Sequence, residues 1–189
     1  AAYDAGTALM ALQDWTAAAV VLDEFRSSWP DHELNREATR QIASAYRQGG
    51  QLSRAAGEYE RVASESGDPE LQGEALLVAG ELYEQSGSSA QALAAYTRYV
   101  EQFPRPIDTA IETRFKIAAF HQAAHDEPSY LVELGQIVRI DAEAGADRTS
   151  RTRTLAARSA LVLSERLYGE FTGFELRQPA IVAAAARAS

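Results

Sequence analysis

His121 and His125 stand four residues apart and are followed at once by Asp126 and Glu127. Two imidazoles at that spacing on a helix face one way and can share a divalent metal, with carboxylates adding oxygen ligands. The stretch is His-Gln-Ala-Ala-His, however, and lacks the glutamate that acts as general base in metal-dependent hydrolases of the HExxH type. A pair of polar residues closing a helix explains it equally well, since histidine suits the negative end of the helix dipole. No metal ligand is assigned, and a metal-binding enzyme or accessory domain using His121/His125 stands as an alternative reading. Arg148, Arg151, Arg153 and Arg158 form a basic patch that could hold a phosphate or an acidic partner. Its simpler reading is ion pairing with the acidic remainder of the chain, and without interleaved aromatics it does not read as a nucleic-acid site. The three histidines, at 32, 121 and 125, are too scattered to build a triad with any serine, and the glycines of QGGQ and QSGS form no phosphate loop. Trp15 and Trp29 have the chemistry of binding hot spots, but their places in the pattern below make them structural. No catalytic residue and no cofactor follow from the sequence.

The composition narrows the partners. With 27 acidic and 18 basic side chains the chain carries a net charge of −9. That disfavours phosphate backbones and anionic membrane surfaces. Cysteine is absent, which removes disulfides, thiolate ligands and thiol nucleophiles. The apolar stretch AIVAAAA at 180–186 is far short of the ~20 residues a membrane-spanning helix needs. The opening AAYDAGTALM is no signal peptide. Beginning inside one helix and ending in an alanine-rich one, the chain reads as a fragment of a longer protein.

What positions these residues is an internal repeat. Residues 9–30, 46–67 and 83–104 paraphrase one another at intervals of 37. Ala18, Ala55 and Ala92 are each followed four residues later by Leu22, Tyr59 and Tyr96. Nine residues earlier stand Leu9, Tyr46 and Tyr83, with Phe120 continuing the series, and three before those come Gly6, Ala43 and Gly80. Small-x-x-aromatic sets a hole and a knob on one helix face. Gly50 and Gly87 follow the end of the first periodic run, where a left-handed glycine stops a helix. Pro30 and Pro104 end the second. The spacing predicts helices at 2–12, 15–29, 32–48, 53–65, 69–86, 89–102, 106–124, 128–143, 149–168 and 179–187, and no strands. A single helix pair cannot bury its apolar face, whereas stacked pairs can.

The pattern resembles the tetratricopeptide repeat (TPR), whose signature runs Trp-x2-Leu-Gly-x2-Tyr, then Ala-x3-Phe, then Pro. The third copy gives Leu76-x2-Ala79-Gly80-x2-Tyr83, then Ala92-x3-Tyr96, then Pro104. The Trp position is Ala2, Thr39 or Leu76, and the period is 37 rather than 34. In a degenerate fourth copy Ser129 replaces the alanine and Glu133 the aromatic. The resemblance implies an all-α fold: a right-handed α-solenoid of antiparallel helix pairs, a TPR-like superhelix of about four repeats plus C-terminal helices. Repeats would span 1–31, 32–68, 69–105 and 106–146, with 147–189 capping the solenoid or starting further repeats. Residues 147–168 read as amphipathic, with Leu155, Ala156, Ala160, Leu163 and Leu167 along one face. The Trp-Pro and Phe-Pro exits at 29–30 and 103–104 are similar to those of bacterial cell-envelope TPR proteins, which favours periplasm or envelope over cytoplasm.

The same resemblance implies a non-catalytic scaffold that binds a protein or peptide in a concave groove lined by the first helix of each pair. By register the groove would use Tyr3, Thr7 and Met10; Arg40, Gln41, Ser44 and Arg47; Leu77, Val78, Glu81 and Glu84; and Arg114, Phe115 and His121. Mixed charge beside apolar residues suits an amphipathic peptide. The clamp that grips a C-terminal carboxylate in some relatives is not expected, because its positions read Tyr3, Thr7, Gln41, Glu74 and Val78. A purely architectural segment, or one that self-associates through open repeat ends, is the third reading.

Overall fold

The computed structural model describes residues 1–187, with side chains through residue 173. The last two residues of the segment expected at 147–189 lie outside the described residues. Helices account for all the regular structure described, and no strand is present among the described residues. The chain forms two compact units, Ala1–Pro104 and the residues from Arg105 onward.

The first unit contains α1 (Ala2–Ala11), α2 (Trp15–Ser28), α3 (Asn35–Gln48), α4 (Leu52–Glu65), α5 (Pro69–Gln85) and α6 (Ser89–Gln102). Each packs on the next, and α1 also touches α3. Three residues join the helices within each pair, which forces the two to run antiparallel. Those turns are built alike. Gln13, Gly50 and Gly87 take positive φ, at 61°, 72° and 76°. The next residue's N–H then reaches back to a carbonyl five residues earlier: Asp14 to Leu9, Gln51 to Tyr46, Ser88 to Tyr83. This is the hydrogen bonding of a left-handed helix stop. Asp14 and Asp68 cap α2 and α5 by accepting from the N–H groups of Ala17 and Glu70.

Inside each pair the small residues fill the role expected of them. Ala18, Ala55 and Ala92 are fully buried. A Cβ on Gly80 would lie 2.5 Å from the Tyr96 ring, and one on Gly6 would lie 2.5 Å from Leu22. Glycine is needed at both places because the second helix inserts its large side chain there. Arg26 of α2 lies between Glu58 of α4, at 2.5 Å, and Asp23, and also donates to Thr39 of α3. Arg98 of α6 donates to Glu60 of α4, which also accepts from the Tyr83 hydroxyl at 3.0 Å. These ion pairs tie the second helices of neighbouring pairs together.

Expected helix 32–48 begins instead at Asn35. The Asn35 amide donates to the carbonyls of both Trp29 and Pro30, and the His32 Nδ1 accepts from the Leu34 N–H. Side chains have taken over backbone partners there, so the segment turns.

The second unit contains α7 (Ile107–Ala123), α8 (Glu127–Glu143), a short 3-10 turn at Gly145–Asp147 and α9 (Ser150–Arg187). Its core joins Ile107, Ile111 and Ala118 of α7 to Leu134 and Ile137 of α8 and to Leu155 and Ala156 of α9. The degenerate fourth copy proves to be an ordinary pair displaced by one residue. The turn carbonyl matching Tyr83 belongs to His121, not Phe120, and receives the Asp126 N–H. His125 takes the left-handed position at φ 56°, and Asp126 caps α8. Counting back from there, Ala118 is the small residue and Leu134 the large one, and both are buried.

Two expectations about the C-terminal segment are corrected. α9 is one continuous helix, without the expected break between 168 and 179. Its buried stripe is Thr152, Leu155, Ala156 and Ser159, while Ala160 and Leu167 are exposed. Thr152 and Ser159 are polar only in name here, because their hydroxyls donate to the carbonyls of Thr149 and Leu155. Asp141 is likewise buried. Burial opposes its charge, but the hydrogen bond from Arg148, at 2.6 Å, and the nearby positive charge outweigh that and hold it below the usual carboxylate range.

Burial, and then the hydrogen bond to Glu60, push the Tyr83 phenol up to about 12. Burial and Glu84 hold Tyr96 further above the ordinary value. A raised folded-state pKa stabilises the fold below the unfolded value and loses that contribution as pH climbs to the folded one. Stability should therefore fall between the ordinary tyrosine pKa of ~10 and the value for Tyr83. A spectroscopic titration of phenolate absorbance should show Tyr83 and Tyr96 resisting ionisation until the helices melt. Ionisation of both at the ordinary value, with helicity intact, would contradict this packing.

Candidate functional site

In the first unit the expected groove residues fall on the first helix of each pair, α1, α3 and α5. Arg40, Ser44 and Arg47 follow i, i+4, i+7 spacing on α3, as do Leu77, Glu81 and Glu84 on α5, so each set shares one helix face. Arg40, Arg47, Glu81 and Glu84 are exposed, while Ser44, Leu77 and Val78 are half-buried. Arg40 pairs with Glu37 one turn earlier. Gln41 binds inward instead. Its amide donates to the Tyr3 hydroxyl at 2.8 Å, and its oxygen accepts from Thr7 at 3.3 Å, which joins α1 to α3. Glu84 accepts from the Tyr96 hydroxyl at 2.8 Å, so one of the exposed acids is anchored to the core. The face is partly apolar at Leu77 and Val78, with cations at Arg40 and Arg47 and anions at Glu81 and Glu84.

The expected residues of the second unit are engaged within it. Arg114 bonds Glu133 of α8 at 2.8 Å with both side chains largely buried, an ionic contact between the two helices of the pair. Phe115 packs on the core beside Tyr130 and Leu134. His121 Nδ1 lies 3.3 Å from Asp126.

The shared helical face expected for His121 and His125 does not form. α7 ends at Ala123, and His125 sits in the turn with positive φ. No group of three or more His, Cys, Asp or Glu able to hold a metal is present among the described residues. The arginine patch divides: Arg148 pairs with Asp141 and Arg151 with Glu112. Arg153 reaches Asp141 only through its field, and Arg158 pairs with no carboxylate among the described residues. Trp15 is half-buried against Gly49 of the turn between α3 and α4. Trp29 is 50% exposed and leans on Phe25, with ring centres 5.5 Å apart, so the exit tryptophan is less enclosed than its place in the repeat suggests.

Sequence reasoning missed a hollow in each unit. A cleft of about 890 Å³ lies beside Arg26, His32, Asn35, Arg36, Arg61 and Glu65. A smaller one of about 280 Å³ lies among α7, α8 and α9. Neither leaves a mark on the repeat pattern, because each is framed by residues from three helices.

A family model described as the tetratricopeptide repeat matches twice, at residues 3–69 and 40–105. The two matches together run over more than half of the chain. The chain belongs to the tetratricopeptide repeat family. No curated protein matches it. A crystal structure of nearly identical TPR-like repeats from Podosopora anserina, assigned there to a putative kinesin light chain, is 16% identical. That alignment covers 93% of this chain and 92% of the other, with a TM-score of 0.49. A variant of the same repeats is 15% identical over 93% and 91%, also with a TM-score of 0.49. TPR segments generally mediate contacts between proteins. No helix among the described residues is long and apolar enough to cross a membrane.

Proposed function

We propose that this TPR segment is a non-catalytic interaction scaffold holding a partner protein or peptide on the face of α1, α3 and α5. The observation that carries the reading is the exposed row on α3 and α5. Arg40 and Arg47 of α3 and Glu81 of α5 are exposed, and Leu77 and Val78 of α5 are half-covered. Apolar area flanked by both signs of charge is the composition of a recognition surface for an amphipathic segment, with the charges setting register and excluding wrong partners. The partner is a protein; the net charge of −9 argues against nucleic acid. The Trp-Pro and Phe-Pro exits support a place in a bacterial periplasm or cell envelope.

The test is affinity capture from envelope and cytosolic fractions, with the chain as bait and an Arg40→Glu/Glu81→Arg variant alongside. Both side chains are exposed, so the variant should keep its helicity. Loss of a captured protein in the variant is the expected result. A protein retained equally by both baits would move the interface off this face.

A further inference from the structure

We propose that the hollow among α7, α8 and α9 seats one bulky apolar side chain of a partner segment, next to an acidic residue held by Arg158. The proposal rests on the scaffold reading and adds the chemistry of one contact. Phe115 of α7, Tyr130 and Leu134 of α8, and Leu161 and Val162 of α9 wall the hollow. Its volume, about 280 Å³, suits a single large side chain and is too small for a folded element. Leu161 stands at the rim and is 59% exposed, a large apolar side chain facing water beside an apolar cavity. Such a combination is a common mark of a binding surface.

Charge fixes the occupant. Arg105, Arg114, Arg148, Arg151 and Arg166 each meet a carboxylate within the second unit. Arg158, Arg153 and Arg139 meet none among the described residues, and of these three Arg158 lines the hollow. A guanidinium with no carboxylate partner among the described residues, beside an apolar hollow, is complementary to a carboxylate brought by the ligand. The matching segment carries an aromatic or large aliphatic residue adjacent to Asp or Glu. A basic neighbour would meet Arg158 with like charge.

The experiment uses the whole chain, isotope-labelled, titrated with two capped hexapeptides that differ in one residue: Ala-Ala-Trp-Glu-Ala-Ala and Ala-Ala-Trp-Lys-Ala-Ala. The Glu peptide should move the amide resonances of Phe115, Tyr130, Leu134 and Val162, in the millimolar range. The Lys peptide should bind about threefold to fivefold more weakly, the scale of one exposed ion pair. Arg158→Glu should invert that preference, and Leu161→Asp should abolish the shifts. Both positions are exposed, so the fold should survive either change. Absence of shifts at these residues, or a peptide preference unaltered by Arg158→Glu, overturns the proposal. Either failure leaves the α1, α3 and α5 face untouched, since its capture test depends on Arg40 and Glu81 alone.

Discussion

Tyr96→Ala is expected to destabilise the fold by about 3–5 kcal/mol, as read from chemical denaturation. The ring is fully buried and its edge fills the space left by Gly80, where a Cβ would sit 2.5 Å away. Removing the ring leaves a cavity against a glycine that has no side chain with which to fill it. It also strips Glu84 of a hydrogen bond. Tyr96→Phe separates the two losses. It keeps the packing and should cost only about 1 kcal/mol, the net worth of one hydrogen bond. The glycine supplies a coupling test. Gly80→Ala alone overpacks the site and should cost about 1–3 kcal/mol. In the Tyr96→Ala background the same change meets empty space and should cost nothing or restore some stability. Additive costs would mean that the two residues do not meet.

Arg26→Met should cost about 3–5 kcal/mol, because removing one partner of a buried ion pair leaves the other charge uncompensated. The two side chains are 11% and 13% exposed, with Glu58 held through both guanidinium nitrogens. Burial works against the Arg26 charge, but the hydrogen bonds to Glu58 and Asp23 more than offset this and hold its pKa above the ordinary value. The double variant Arg26→Met/Glu58→Leu exchanges the pair for apolar groups of similar size. It should recover most of the loss, since such exchanges are often neutral or stabilising. If the double variant is as unstable as the single one, the ion pair is more than a replaceable tie between α2 and α4.

Much of the fold is readable from residue types alone. Gly50 and Gly87 mark their turns because only glycine enters the left-handed region freely. Gln13 and His125 do the same job with side chains that give no such signal, and for that reason the repeat pattern places the fourth pair one residue early. The α9 stripe departs from the apolar pattern at Thr152 and Ser159, since a hydroxyl bonded to its own helix behaves as a small apolar group. The start of α3 shifts because Asn35 binds two carbonyls across a turn, a contact with no periodicity. For the candidate site, the register on α3 and α5 picks out residues that are exposed or half-buried. It could not reveal that Arg114 and His121 are held by Glu133 and Asp126, because those partners come from beyond their own helix.

The scaffold reading is tested most directly by photo-crosslinking. A benzophenone amino acid would replace Ser44 or Glu81 on the proposed face and, for comparison, Glu101 on α6, which is also exposed. Irradiation in a lysate of the source cells should yield one shared adduct from positions 44 and 81 and none from 101. Adducts of that protein from position 101 alone would contradict the placement of the partner on the α1, α3 and α5 face.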